Sequence, residues 1–326
     1  MKRIVTMQDL SCLGKCSLSV VLPAISAMGV ECTVLPTAVL STHAGFPGVR
    51  AQGLDGLCEG ILDHWNTLDF PVDGILTGYL ANPGQVQLAQ RLIEEFGENA
   101  AVVVDPAMAD HGKLYHGTDE AMVPAMLELC RSADLAVPNL TEAALMTGLP
   151  FRETGDDGYF LELCDALHGK GLKSVMLTGA GDGIHSTGFY WSCGENRVHF
   201  ELPREDRRCH GTGDLFAAVV CGGLVRGMTP ADAGKLAAEF VLRAIRATPE
   251  NADHRYGVWF EKELYFLNEK VAKNDGALSR LLSGAETVPG DVPAQPIERA
   301  KKPPSSGGGA EPARRWGKAG TSGKAL

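Results

Sequence analysis

Six short apolar runs separated by helical stretches occupy the first 268 residues of this 326-residue chain, and that alternation constrains its fold more than any other feature. The runs lie at residues 4–7, 32–35, 74–77, 101–104, 135–137 and 174–178 and have the length and character of buried strands. Helical patterns at 17–28, 85–96, 120–131, 141–147 and 160–170 lie between them. Strand, helix and strand in repeated order make βαβ units, which build a mostly parallel sheet with helices on both faces. The expectation is an α/β protein, a three-layer α/β/α sandwich. Ligands of such sheets bind beyond the carboxyl ends of the strands. The residues that follow each run are therefore the place to look for chemistry.

The composition changes near residue 270. Val288-Pro289-Gly290, Lys301-Lys302-Pro303-Pro304 and Ser305-Ser306-Gly307-Gly308-Gly309 follow, with few large apolar residues among them. Residues 1–268 are expected to form one folded domain and 269–326 a disordered, low-complexity tail. Charge divides at the same place. The tail holds 10 Lys+Arg and 6 Asp+Glu, a net of +4, and the body a net of −14. So acidic a body argues against a nucleic-acid partner. It also requires that an anionic ligand be captured by local donors and a divalent cation.

No apolar run approaches the ~20 residues of a membrane helix. Met1-Lys2-Arg3 leads straight into a strand pattern, so no signal peptide and no membrane partner are expected. Nine cysteines without a Cys-x-x-Cys pair fit reduced thiols in the cytoplasm. The nine histidines show no zinc-ligand spacing.

Polar groups of interest follow the runs: Gln8-Asp9, Thr77-Gly78-Tyr79, Asp105-Pro106, Asn139-Leu140-Thr141-Glu142 and Thr178-Gly179-Ala180-Gly181. Asp105, Asn139 and Glu142 offer hard oxygen ligands. These suit Mg²⁺, which keeps several waters and takes one or two carboxylates plus phosphate oxygens. Asn139 and Glu142 also have the spacing of a capping box. Both readings hold at once, because a helix cap at a strand end also lies on the ligand rim. Asp105 before Pro106 equally suits the start of a turn.

Cys209-His210-Gly211-Thr212-Gly213-Asp214 feeds into the small, apolar stretch 215–225, which reads as a buried helix. The backbone N–H groups of residues 211–214 then lie at a helix N-terminus, where they can hold an anion. Asp214 sits in the same first turn. A carboxylate beside an anion cradle is the pairing that phosphoryl transfer needs, one group taking a proton from an alcohol and the other bearing phosphate charge. Gly-x-Gly and Asp also occur at helix starts for structural reasons alone, so the turn by itself leaves catalysis open. Gly14-Lys15-Cys16-Ser17 is not a Walker A loop. Asp9 stands where the first glycine is needed, and Cys16 where Ser or Thr is. Residues 9–14 read instead as a loop over the pocket.

Several motifs in order resemble the ribokinase superfamily and, within it, the pyridoxal/pyridoxamine kinases. They are Met7-Gln8-Asp9-Leu10-Ser11, Leu35-Pro36-Thr37 through Ser41-Thr42-His43, Thr77-Gly78-Tyr79-Leu80, Asp105-Pro106-Ala107-Met108, Pro138-Asn139-Leu140-Thr141-Glu142 and His210-Gly211-Thr212-Gly213-Asp214. The likeness covers about residues 1–250. It implies a ribokinase-like fold, a homodimer, and ATP-dependent phosphorylation of the 5′-hydroxymethyl group of pyridoxal, pyridoxine or pyridoxamine. By position, Asp214 would be the general base, with Gly211, Thr212 and Gly213 as the anion hole. Asn139 and Glu142 would organise Mg²⁺ and its waters, with Asp105 near the metal. Thr178, Gly179 and Gly181 would contact nucleotide phosphates, together with Asn139 and Thr212. Tyr79 would stack on the pyridine ring, and Asp9, Ser41 and His43 would meet its polar edge. Tyr115 would help cover the pocket. A monovalent cation such as K⁺ beside Mg²⁺ is left open.

The chain departs from the pattern in places. Many relatives carry Ser where Asp9 stands; a carboxylate there favours a protonated pyridine nitrogen or a hydroxyl donor. Position 44 is Ala, and the segment 44–47 is one residue shorter than the double-glycine form. Hydroxymethylpyrimidine kinase is the nearest rival reading, and a non-catalytic vitamin-binding protein a more distant one. The intact Gly-Thr-Gly-Asp turn argues against the latter.

Overall fold

In a computed structural model, residues 1–207 and 209–282 are described, with 274–282 described by backbone alone. The chain opens with β1 (Arg3–Ser11), α1 (Leu18–Ala27), β2 (Glu31–Leu40), β3 (Ala51–Gly53), α2 (Asp55–Trp65), β4 (Gly74–Thr77) and α3 (Pro83–Phe96). It continues through β5 (Ala101–Val104), β6 (Ala109–Asp110), β7 (Lys113–Leu114), α4 (Met122–Arg131), β8 (Leu135–Ala136), α5 (Leu140–Thr147) and α6 (Asp157–Gly169). The last elements are β9 (Val175–Thr178), β10 (Ser186–Cys193), β11 (Asn196–Pro203), α7 (Thr212–Val225), α8 (Pro230–Ala247) and α9 (Leu264–Leu282).

One nine-stranded sheet runs in the order β11-β10-β9-β8-β5-β4-β1-β2-β3. The stretch from β2 to β9 is parallel, while β3, β10 and β11 attach antiparallel at the two edges. Alternation along each strand fills both faces. Val5, Met7, Ile75, Val102 and Val104 point into a core shared with α2 to α6. Ile4, Leu76 and Val103 point into a second core with α1, α7, α8 and α9. This is the expected three-layer α/β/α sandwich. Burial on both faces is why the strands read as unbroken apolar runs.

Helix starts follow local chemistry. Asn82 and Asp156 cap α3 and α6 by accepting from Gln85 and Tyr159 N–H, and Pro83 occupies the first turn of α3. Residue 268 proves not to be a boundary: α9 crosses it and buries Phe266, Leu267 and Val271 in the second core. The expected tail beyond residue 282 lies outside the described residues. No helix among the described residues is long and apolar enough to cross a membrane.

Candidate active site

Register aligns the strand ends into one rim. Thr77 pairs with Val104 across β4 and β5. Asp105 N–H then donates to the Thr77 carbonyl, Val137 N–H to Val104, and Thr178 N–H to Pro138. Tyr79, Asp105, Asn139 and Thr178 are thereby placed side by side, one strand spacing apart. The α7 N-terminus faces them. Gly211 is its N-cap with φ 84°, and a Cβ there would lie 2.2 Å from the Lys15 carbonyl, so only glycine fits. The first-turn N–H groups of Thr212, Gly213 and Asp214 have no intrahelical acceptor.

Asp214 is the best-defined group of the rim. Its Oδ2 accepts the backbone N–H of Ser17 at 2.9 Å, while Oδ1 has no partner among the described residues. Burial pushes its carboxyl up to about 6, Asp9's charge adds to this, and the Ser17 N–H opposes it. Burial and the charges of Glu142 and Asp214 hold Asp105 well above the usual carboxylate range. Asp105 accepts no side-chain hydrogen bond among the described residues. Two neighbouring carboxylates, Glu142 and Asp214, thus act together on Asp105.

Asn139 and Glu142 form a reciprocal capping box on α5. Glu142 Oε2 accepts from Asn139 N–H at 2.9 Å, and Oε1 accepts from Met108 and Ala109 N–H at 3.0 and 3.4 Å. Asn139 Nδ2 donates to the Ala109 carbonyl at 2.8 Å. Both side chains bind backbone and shape the rim, and their oxygens keep further lone pairs with which to organise a metal's waters. No three His, Cys, Asp or Glu side chains among the described residues are grouped to hold a metal. The donor set still suits Mg²⁺, as an ion held by Asp105, waters and phosphate oxygens rather than by a protein cage.

The ring-pocket residues depart further from expectation. Asp9 is not in a loop. β1 runs on to Ser11, and Asp9 lies opposite a bulge in β2, buried, with its oxygens accepting from Ser17 Oγ at 2.5 Å and Ser11 Oγ at 3.1 Å. Burial raises its carboxyl. His43 accepts from Gly45 N–H on Nδ1, which leaves Nε2–H to donate to the Arg255 carbonyl at 2.6 Å. Neither nitrogen remains for a ligand, and the ring presents only its faces, one of them toward His210 at a centroid distance of 4.3 Å. Ser41 is exposed, and its hydroxyl accepts from Arg50 N–H across the β2–β3 connection. Tyr79 is half-buried with its ring 6.4 Å from that of Tyr115. Tyr115 leaves 37% of its surface exposed; desolvation at its hydroxyl, then the charges of Glu142 and Asp105, raise that hydroxyl.

On the other flank, Thr178 ends β9. Gly179 takes φ 74°, whereas Gly181 lies against the Ser186 carbonyl, where a Cβ would approach to 2.6 Å. Asp182 folds this loop by accepting from the N–H groups of Ile184, His185 and Ser186. Sequence reasoning missed Asp182, although an Asp between two glycines is an Asx-turn signal. It also missed the clasp at 253–258. There Phe46 meets Tyr256 edge-on at 5.2 Å, and Val258 N–H donates to the His210 carbonyl.

The sequence profile of the phosphomethylpyrimidine kinase family matches residues 22–259. A candidate phosphomethylpyrimidine kinase from Bacteroides thetaiotaomicron, in a crystal form with pyridoxal, is 34% identical. Its TM-score is 0.76, with 82% of this chain and 96% of that one covered. Pyridoxal kinase from Lactobacillus plantarum is 30% identical with a TM-score of 0.76, over 85% and 99% of the two chains. A candidate pyridoxal kinase of Schizosaccharomyces pombe is 30% identical over 155 residues, 45% of this chain. The chain spans about half the length, 49%, of that curated relative.

Proposed function

The chain belongs to the phosphomethylpyrimidine kinase family, and on that premise we propose that it transfers the γ-phosphoryl group of ATP to the hydroxymethyl group of a B6 vitamer. The observation that carries this reading is Asp214. One oxygen is pinned by Ser17, the other is unpartnered, and the carboxyl is raised to about 6 beside three unused amides of a helix N-terminus. A base works best with a pKa near the working pH. Asp214 Oδ1 takes the proton of the alcohol, and the amides of Thr212, Gly213 and Asp214 bear the charge of the transferred group. Mg²⁺, when bound at Asp105, neutralises phosphate charge. The Thr178 and Gly179 loop holds the nucleotide phosphates, and Tyr79 offers a face to the ring.

The pyridoxal in the crystals of the Bacteroides thetaiotaomicron relative supports a pyridine substrate. The family description supports a second reading, a hydroxymethylpyrimidine alcohol. All nine cysteines are free, which supports a reducing compartment such as the cytoplasm. Leu10 and Val39, neighbours across β1 and β2, are exposed apolar side chains, which supports pairing of two copies.

The deciding measurement is ATP consumption with pyridoxal, pyridoxine, pyridoxamine and hydroxymethylpyrimidine in parallel. Turnover of a pyridine alcohol is the expected result. Turnover of the pyrimidine alone replaces the first reading with the second, and turnover of none removes both.

A further inference from the structure

Ser17 is the N-cap of α1, a position where a serine hydroxyl ordinarily accepts from an amide of its own helix. Here it makes no cap bond. The hydroxyl donates to Asp9 Oδ1 at 2.5 Å, and the backbone N–H of the same residue donates to Asp214 Oδ2 at 2.9 Å. Its backbone is at φ 50°, ψ −134°. That is the positive-φ region that residues other than glycine avoid, and it persists only where the surroundings fix it.

The surroundings do so from one side. Residue 17 bridges to Leu10 of β1. Asp9, the neighbour of Leu10, is itself 3% exposed and tied by its second oxygen to Ser11. A helix that forgoes its own side-chain cap while holding a strained residue is spending stability on geometry, and the geometry delivered is the direction of one amide.

We propose that Ser17 is a positioning residue: Asp9 grips its hydroxyl and locks its positive-φ backbone, and that backbone aims the amide that fixes Asp214. The inference rests on the reading of Asp214 as the base. Asp9 then acts at a distance on the reacting carboxylate through a single intervening residue, in addition to any contact with the ring. The Ser17 N–H holds Oδ2 so that Oδ1 meets the alcohol in a constant direction. Small misplacements of a reacting group can cost about 10²-fold in rate.

Two readouts test this. Amide exchange at residue 17 is followed by NMR in the wild type, S17A, D9A and D9N. S17A keeps the amide but loses the hydroxyl, and D9N keeps an acceptor for it. Exchange is expected at least about tenfold faster in S17A and D9A and near wild type in D9N. Unchanged exchange in both S17A and D9A overturns the lock. In the second readout, S17A is expected to lower kcat by about 10- to 100-fold with KM for ATP within about twofold and an unchanged circular dichroism spectrum. Faster exchange with kcat unchanged overturns the positioning role. A wild type that turns over no ring alcohol sinks the kinase reading, while the exchange measurement still decides whether Asp9 locks Ser17.

Discussion

Asn139 and Glu142 each accept the other's backbone N–H at 2.9 Å, and Glu142 additionally gathers the amides of Met108 and Ala109. One carboxylate therefore ties the start of α5 to the segment following Asp105. Glu142→Ala leaves three amides without an acceptor, and a buried unpaired donor costs about 1–3 kcal/mol. The expected loss is on the order of 3 kcal/mol or more, read as a lower urea midpoint. Glu142→Gln retains one carbonyl oxygen and should lose about half as much. Equal midpoints for the two variants would show that the carboxylate does not organise this segment.

Asp214 titrates at about 6, raised from its ordinary 3.8 mainly by burial. A general base works only when ionised, so kcat/KM should fall tenfold per pH unit below about 6 and level off above it. Asp9's charge contributes to the raised value, so Asp9→Asn should move the acid limb to lower pH. Asp214→Ala should lower kcat by roughly 10²–10⁴ with ATP affinity retained by calorimetry. Full turnover in that variant would remove Asp214 from the reaction.

The legible part of the sequence was the part buried on both sides. Ile75 and Leu76, or Val103 and Val104, fill opposite cores, so β4 and β5 were readable to their exact ends. The β10–β11 hairpin was not, because much of it is only partly buried and polar residues interrupt its apolar ones. In α2 only Cys58 and Leu62 are buried, too few to mark a helical face, and α8 builds its buried face largely from Ala and Gly. At the site, Asp214, Asp105 and Tyr79 were legible from their place after strands or at a helix start. The use of His43 by the Gly45 amide and Arg255 carbonyl was not, because Arg255 lies 212 residues away in the chain. Asp9 was misplaced into a loop because Asp disfavours strands; two serine hydroxyls stabilise it there.

Tyr79 is half-buried beside Tyr115 and near enough to Asp9 for that charge to raise its hydroxyl, after burial. Removing its ring should weaken the heteroaromatic substrate and spare the nucleotide. Tyr79→Ala is expected to raise KM for the ring alcohol about tenfold, the size of one stacked pair, with KM for ATP changed less than about twofold. Tyr79→Phe keeps the face and should stay near wild type. Equal rises in both KM values would mean that the ring supports the fold and not the substrate.

Gly211 and Gly213 lie two residues apart in one turn and are glycine for different reasons. Gly211 has φ 84°, and an added Cβ would meet the Lys15 carbonyl at 2.2 Å, a backbone atom that cannot swing aside. Gly213 is exposed, and an added Cβ would meet nothing within 4 Å. Gly211→Ala should therefore cost at least about 2 kcal/mol, the scale of backbone strain at a non-glycine residue in this region, and lower the melting temperature. Gly213→Ala should melt at or slightly above the wild type, since alanine favours the helical turn. The space that its methyl enters is where the anion approaches the amides, so kcat/KM for ATP should fall by about tenfold or more. Damage to stability and activity in the opposite pattern would mean that Gly213 serves the fold and that the phosphate lies elsewhere.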